Sequence, residues 1–444
     1  MADYSHPSTT TTTRQRRANS NLGGDPRGDT GANAIATSQH AQQSSATASP
    51  KSTKGGKRKK AKSLFNRWKR ISLKHTWLNP MILMLGILGA YFVRPGENNP
   101  LHPAIFLSYP NPPMEERTNT LPAHIGEVTQ YGKGKLDFAF VAFYMIVFSF
   151  TREFLMQRVI RPIAIWYGIK AKAKQARFME QSYTAIYFAV FGPLGLYVMS
   201  RTPVWYFDIP GMYEGFPHRS HEAVFKAYYL LQASYWAQQG LVLMLQLEKP
   251  RKDFKELVLH HIVTLTLIGL SYRFHFTYMG IAVYITHDIS DFFLATSKIL
   301  NYIDSKFTVP YFVVFMCVWA YLRHYINLRI ISSLLPGGQF RTVGPYEVNW
   351  ETQQYKCLLA QVITFPLLAM LQAVNLFWFF LILRILYRFV RTGEEKDERS
   401  EDEEEVETID ETKTNGHSEK PEVMLNGKPL AATAVEGSGS ARKR

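Results

Sequence analysis

Eight apolar segments, each long enough to enter a lipid bilayer as a helix, dominate this chain of 444 residues. A helix needs about 20 mostly apolar residues to cross a bilayer. The segments lie near residues 76–93, 135–154, 180–200, 223–246, 256–273, 277–300, 308–333 and 358–390. They predict an all-α polytopic membrane protein with about eight transmembrane helices.

Charge divides the chain into tails and a membrane core. Residues 1–75 carry a net charge of +12 and residues 393–444 a net charge of −7. Segments of this kind are typical of tails and membrane flanks, so membrane lipids explain the basic residues more simply than nucleic acid does. Along the chain we predict a disordered tail (1–60), a basic amphipathic segment (61–75), two N-terminal transmembrane helices (76–173), a six-helix membrane domain (174–391) and an acidic disordered tail (392–444). Ser400 opens the acidic run and is a candidate phosphorylation site.

Basic residues also predict the orientation in the membrane. They cluster before the first apolar segment and in 152–177, 249–255 and 384–391. The positive-inside rule then places both termini in the cytosol and the loops 94–134, 201–222, 271–277 and 334–356 in the lumen. His218 and His221 fall in one of these loops, and we expect them to be surface groups. The two cysteines, Cys317 and Cys357, form no disulfide or zinc motif.

Two neighbouring apolar segments carry ionisable side chains inside their apolar runs. These candidate catalytic residues are His260, His261, His287, Asp288 and Asp291. An ionisable group inside a membrane costs roughly 2.5–3.5 kcal/mol, so such a cluster predicts a functional site. The short connection near residue 275 makes the two helices antiparallel neighbours whose polar faces can meet. A structural polar seam between helices is the alternative.

Other polar residues in the apolar segments extend the candidate site. Tyr228, Gln232, Tyr235 and Gln239 follow helical spacing and form a polar stripe, which either lines the same cavity or bonds to neighbouring helices. Arg323 lies inside another apolar segment, where it either binds an anionic group or pairs with a carboxylate.

The sequences RKDFKELVLHHIVTLTLIGLSY and GIAVYITHDISDFFLATSKILNY resemble the Lag motif of ceramide synthases, within the wider TRAM–Lag–CLN8 membrane family. The adjacent histidines, the His-Asp pair, the Ser-Asp pair and the lysine downstream stand in the family's order, and residues 174–391 carry the resemblance. It implies an endoplasmic-reticulum enzyme that joins a fatty acyl group from acyl-CoA to sphinganine or phytosphingosine.

The resemblance also implies structural features and partners. The last six helices would form a barrel-like bundle around the site, and a small single-span regulatory subunit and a homo- or hetero-dimer with a paralogue are expected partners. The candidate substrate-binding residues are Tyr228, Gln232, Tyr235, Trp236, Thr264, Ser271, Tyr284, Ser290, Lys298, Trp319 and Arg323.

These residue types can carry out acyl transfer. An acyl thioester is already activated, so we expect no metal and no cofactor beyond acyl-CoA as co-substrate. Histidine can remove the proton from the attacking amine, with a carboxylate orienting its ring, or accept the acyl group itself. A lipid-sensing or translocation-assisting protein without chemistry is the alternative function, and a membrane di-iron enzyme would need more histidine clusters than the chain has.

Overall fold

The computed structural model describes residues 66–112, 128–248 and 252–392 and the backbone of residues 424–425 and 428–429. The predicted tail at 1–60 and Ser400 lie outside the described residues. The helices, in chain order, are α1 (Asn66–Lys74), α2 (Leu78–Val93), α3 (His102–Ile105), α4 (Asp137–Trp166), α5 (Lys172–Ser200), α6 (Ala223–Met244), α7 (Phe254–Arg273), α8 (Thr277–Tyr302), α9 (Thr308–Ser332), α10 (Gln339–Thr342) and α11 (Leu358–Thr392). Two antiparallel pairs join strands β1 (Gln130–Tyr131) and β2 (His221–Glu222), and strands β3 (Met424–Leu425) and β4 (Lys428–Pro429).

Long apolar helices make this a multi-pass membrane protein. A described helix lies in each of the eight segments predicted to cross the bilayer. Five of them, α4, α5, α7, α9 and α11, are long and apolar enough to cross, and α1 with α2, which meet at a bend of 103°, would make a sixth. The other two, α6 and α8, carry many of the polar residues of the candidate site. The count of eight spans and the barrel-like arrangement stay predictions.

The loops gather at two ends of the helix bundle. We call residues 94–112, 128–136, 201–222, 274–276 and 333–357 the long-loop end; strand β1 pairs there with β2, and His275 Nε2 lies 2.9 Å from Gln353 Oε1. We call residues 167–171, 245–248, 252–253 and 303–307 the short-loop end. There Lys174 Nζ lies 3.9 Å from an Asp304 carboxylate oxygen, and Arg152 donates to Glu248.

Helices α5 and α8 pack closely because glycines on α5 leave room between them. A Cβ atom built on Gly195 would lie 2.4 Å from the Tyr228 hydroxyl and 3.0 Å from Ile285. An alanine there would therefore force the Tyr228 side chain to move. This contact positions α8 and its ionisable residues beside α6.

A buried ion pair ties α4 to α6. Lys226 is fully buried, and its ammonium lies 2.7 Å from an Asp137 carboxylate oxygen. It also donates to the backbone oxygens of Ser108 (2.8 Å) and Gly132 (2.7 Å). The second N-terminal helix is therefore bonded into the bundle that we had predicted to begin at residue 174, and α5 itself begins at Lys172.

The histidines of the long-loop end are buried, so the prediction that His218 and His221 are surface groups is wrong. Their exposed fractions are 0% and 4%. The His218 Nε2–H donates to the Glu214 oxygen at 2.7 Å, and the His218 ring packs 3.8 Å from that of Tyr278. Sequence alone could not show this, because the burial comes from residues of distant loops closing over one another.

We expect this burial to make the protein less stable in mild acid. Burial lowers the pKa of His218 from 6.5 to about 3, and burial with the nearby Lys133 charge lowers the pKa of His275 to about 2. Both imidazoles are neutral in the folded protein, so their contribution is complete above pH 6.5 and is lost as the pH falls towards these values. Each should cost about 1.4 kcal/mol per pH unit below 6.5.

Thermal unfolding of the detergent-solubilised protein between pH 7.5 and 5 measures this loss. A His218→Gln variant, which keeps a donor but does not titrate, should show a shallower dependence on pH than the wild type. Identical slopes for the two proteins would contradict a buried, neutral His218.

Candidate active site

The two antiparallel helices α7 and α8 bring the predicted histidines together. His260 on α7 and His287 on α8 are 4% and 5% exposed, and their ring centroids lie 6.4 Å apart. His261 is adjacent, and the rings of His260 and His261 pack against Trp236 of α6 at 5.9 and 6.0 Å. The close approach needs only the turn at residues 274–276 between the helices.

Hydrogen bonds to backbone carbonyls assign the protons on two of the rings. His261 Nδ1 lies 2.9 Å from the Leu257 oxygen, and His287 Nδ1 lies 2.8 Å from the Val283 oxygen. A carbonyl oxygen only accepts, so in each ring Nδ1 carries the proton and Nε2 presents a lone pair. In His287 that lone pair accepts a hydrogen bond from the Asn375 amide at 3.2 Å.

His260 is less constrained. Its Nδ1 is buried and has no hydrogen-bond partner among the described residues. The ring lies between Trp236 and Trp378, whose ring centroids are 5.9 and 5.1 Å away. These aromatic walls hold the ring in place while leaving its nitrogens available to a reacting group.

The two carboxylates do not pair with the histidines, contrary to the expectation that a carboxylate orients an imidazole ring. Asp288 is fully buried and accepts hydrogen bonds from Tyr228, at 3.1 Å, and from Gln232. Asp291 pairs with Arg323 at 2.5 Å. Side chains one turn apart on α8 point to different neighbouring helices, and these helices supply the partners.

Arg323 is the most heavily bonded side chain of the site. It lies in a π-helical stretch of α9, Ala320–Ile326, and is 1% exposed. Besides the Asp291 carboxylate, its guanidinium reaches Ser290 Oγ (2.6 Å) and Asn375 Oδ1 (3.0 Å), and it lies 4.1 Å from the ring of Trp319. Since π-helical turns are frequent at functional sites, the local widening is consistent with a selected arrangement.

Asn375 is a site residue that the sequence analysis missed. It is fully buried on α11, accepts from Arg323 and donates to His287. Three amides, Gln361, Gln372 and Asn375, interrupt the apolar run of α11, and this interruption is the signal that could have revealed it.

Two cavities meet at His260. The first, of about 160 Å³, is mostly apolar and extends from His260 and His287 to Trp350 and Tyr355 at the long-loop end. The second, of about 190 Å³, is lined by more polar groups than the first and reaches Glu248 and Asp253 near the short-loop end; we call it the polar cavity. Among the described residues, His260 and Trp236 alone line both cavities, so a molecule that fills the two must pass these rings.

The remaining predicted residues divide between the cavities and the structure behind them. Thr264, Ser271 and Tyr284 line the apolar cavity, and Tyr235, Lys298, Trp319 and Arg323 line the polar one. Tyr228, Gln232 and Ser290, predicted to bind substrate, and Asp288, predicted to be catalytic, do not line either cavity. Their side chains are buried in hydrogen bonds between helices, which supports the polar-seam interpretation for this part of the cluster.

Within the described ranges, no three His, Cys, Asp or Glu side chains converge as metal ligands would. The functional groups present at the site are the imidazoles, the guanidinium, the carboxylates and the hydroxyl and amide groups around them.

These features define a helical membrane protein with a histidine site buried inside the bundle. Residues 177–384 match the TLC domain of TRAM, LAG1 and CLN8 proteins. Sphingosine N-acyltransferase lac1 of Schizosaccharomyces pombe is 49% identical over 79% of this chain and 88% of its own length. Ceramide synthase LAG1 of Saccharomyces cerevisiae is 45% identical over 87% of this chain and 92% of its own. The chain belongs to the ceramide synthase family of acyltransferases, which confirms the resemblance seen in the Lag motif.

Asn375→Leu tests whether the amide positions the catalytic groups. The change removes one hydrogen-bond acceptor of Arg323 and the donor to His287 Nε2, and we expect kcat to fall on the order of 10²-fold, as for a misplacement of about 1 Å. Asn375→Asp keeps the acceptor for Arg323 but removes the donor to His287, so it separates the two bonds.

Gln372→Leu is the matched control one turn away on α11. Gln372 donates to His324 Nδ1 at 2.7 Å and accepts from Asn327 at 2.8 Å, and it does not line either cavity. The Gln372→Leu variant should lower the unfolding temperature as much as Asn375→Leu does, while leaving kcat near wild type. Equal activity losses in the two variants would show that Asn375 is only structural.

Proposed function

We propose that this protein transfers the fatty acyl group of acyl-CoA to the amine of a sphingoid base, forming dihydroceramide or phytoceramide. The observation that carries the proposal is His260 at the junction of an apolar and a polar cavity. An acyl thioester has the same division, since its hydrocarbon chain is apolar and its coenzyme A is polar and charged. The names of the related proteins support the same substrates.

The apolar cavity fits the hydrocarbon chain. Its walls come from α6, α7, α8 and α11 and consist mostly of leucine, isoleucine and aromatic side chains. Burying a chain there is favourable by about 0.8 kcal/mol for each CH₂ group transferred from water. A chain in this cavity places its reacting carbonyl carbon beside His260.

The polar cavity reaches the short-loop end, where basic side chains could bind the phosphates of coenzyme A. Exposed lysines lie in or next to the loops of the short-loop end: Lys170, Lys172, Lys252 and Lys255. Their ammonium groups would attract the phosphates of the coenzyme. The carboxylates of Glu180, Glu248 and Asp291 also line this cavity, where they could accept hydrogen bonds from the cationic amine of a sphingoid base.

We place the chemistry on His260 and His261. In the first step a ring nitrogen of His260 attacks the thioester carbon, the C–S bond breaks, and the ring N–H proton passes to the leaving thiolate. In the second step the amine nitrogen attacks the acyl carbon, the acyl–imidazole bond breaks, and one amine proton returns to the ring. His261 Nε2, whose lone pair is fixed by the bond from Nδ1 to Leu257, takes the additional proton of the ammonium form.

The other polar groups of the site position the residues around these two rings. Arg323 and Asn375 hold His287 neutral with its Nε2 occupied, so His287 is a positioning residue here. Asp291 neutralises Arg323, and Asp288 fixes Tyr228 and Gln232 between α6 and α8. The two carboxylates therefore position other protein groups and do not themselves react.

Intact-protein mass spectrometry tests the covalent step. Incubated with acyl-CoA and no amine, the purified wild type should gain the mass of one acyl group, and His260→Ala should gain none. His261→Ala should still gain it but turn over about 10²–10⁴-fold more slowly. Normal turnover by a wild type that never gains the mass would replace this route with direct transfer, with histidine as the base alone.

We further propose that the protein lies in the endoplasmic-reticulum membrane with both termini and the short-loop end in the cytosol, where acyl-CoA is present. The basic residues of the short-loop end support this orientation. A small single-span subunit and a dimer are proposals from the family resemblance.

Thiol labelling of sealed microsomes tests the orientation. In a protein whose Cys317 and Cys357 are replaced by alanine, Lys306→Cys should react with an impermeant maleimide. Glu351→Cys at the long-loop end should react only after detergent is added, because both positions are exposed and only the side of the membrane differs. Labelling of Glu351→Cys in intact vesicles would invert the proposed orientation.

A further inference from the structure

Two hydroxyl groups in the apolar cavity have no hydrogen-bond partner among the described residues. Thr264 and Tyr284 both line this cavity, and both side-chain oxygens are buried without a hydrogen bond to any described residue. A buried hydroxyl in native proteins is nearly always bonded. Two exceptions in one cavity need an explanation.

Thr264 departs from the behaviour of other hydroxyls in these helices. A threonine or serine within a helix commonly donates to a carbonyl three or four residues earlier. Thr266 donates to the Ile262 oxygen at 2.7 Å, and Thr286 donates to the Val283 oxygen at 2.8 Å. Thr264 Oγ1 makes no such bond, so it is free to bind a group in the cavity.

Tyr284 differs in the same way from the tyrosines beside it. The Tyr228 hydroxyl donates to Asp288 at 3.1 Å, and the Tyr229 hydroxyl pairs with Ser271. Gly280 makes the second pair possible, since a Cβ atom there would lie 2.2 Å from the Tyr229 hydroxyl. Tyr284 is 5% exposed, and its ring lies 5.1 Å from that of Tyr229, yet its own hydroxyl is unpaired.

We propose that Thr264 and Tyr284 bind a hydroxyl group on the hydrocarbon chain of a substrate, so that the cavity selects hydroxylated chains. This inference rests on the proposed acyltransferase function. Thr264 is one helical turn from His260 on α7, and Tyr284 is one turn before His287 on α8, so the bound hydroxyl lies within a few carbons of the reacting atom. Two substrates can carry such a hydroxyl: a 4-hydroxylated sphingoid base or a 2-hydroxylated acyl chain.

The size of the selection follows from hydrogen-bond energetics. A site that bonds a substrate hydroxyl discriminates against the analogue without it, because the buried groups of the site are then unpaired. We expect a preference of about tenfold in kcat/KM, which equals about 1.4 kcal/mol.

The test compares substrate pairs that differ by one hydroxyl. For wild type, Tyr284→Phe and Thr264→Val, kcat/KM is measured with phytosphingosine and sphinganine, and separately with 2-hydroxylated and unsubstituted acyl-CoA. Both variants should reduce the preference for the hydroxylated member of one pair about tenfold. The pair that responds identifies which substrate places its chain against these residues. Unchanged ratios in both pairs would overturn the proposal and leave ordered water as the partner of the two hydroxyls.

Matched controls separate recognition from stability. Thr266→Val removes a hydroxyl from the lipid-facing side of α7, and Tyr213→Phe removes a buried hydroxyl that pairs with Ser333 at 2.6 Å outside both cavities. Both should keep the wild-type substrate ratios. A control that changed the ratio as much as Tyr284→Phe would overturn the assignment.

A binding measurement separates this inference from the proposed function. Thermal stabilisation by phytosphingosine, sphinganine and both classes of acyl-CoA is measured on the same proteins without turnover. A hydroxyl-dependent stabilisation that Tyr284→Phe abolishes, in a protein that forms no ceramide, would overturn the acyltransferase proposal alone. Equal stabilisation of wild type and variants by each hydroxylated ligand and its analogue would overturn the hydroxyl site alone.

Discussion

The buried guanidinium of Arg323 is the interaction on which the site depends. A cation inside an apolar helix bundle is tolerated only when its charge and its donors are matched. Here α8 supplies Asp291 and Ser290, and α11 supplies Asn375, so one side chain of α9 fixes the relative position of three helices. The walls of the polar cavity and the hydrogen bond from Asn375 to His287 both depend on that arrangement.

This arrangement also explains why the carboxylates stay away from the histidines. Asp291 is held by Arg323, and Asp288 by Tyr228 and Gln232. An imidazole beside an ionised carboxylate would tend to hold its proton, whereas a group that must attack a carbonyl or accept a proton has to be neutral. Because the two carboxylates bond to Arg323, Tyr228 and Gln232 and not to the imidazoles, His260 and His261 can stay neutral and reactive.

The sequence predicted helix positions better than side-chain partners. Periodic apolar runs identified every long helix, and the spacing of His260, His261 and His287 identified the residues that meet. The partners of Asp288 and Asp291 could not be predicted, because they come from α6 and α9, whose rotation about their axes depends on packing. Asn375 was missed for the same reason: three amides interrupt the apolar run of α11, and only the packing shows which of them reaches Arg323 and His287. The burial of His218 needed the tertiary closure of distant loops.

The Lys226–Asp137 pair has a consequence for how the chain is assembled in the membrane. The Asp137 carboxylate lies on α4 and the Lys226 ammonium on α6. During synthesis α4 is made first, so its carboxylate has no ion partner until α6 follows. An unpaired ion favours water over the apolar interior of a bilayer, so docking of α6 on α4 lets both ions be buried together. Because α4 precedes α6 in the chain, the first helices would already be in the membrane when the helix that carries the buried ammonium is inserted.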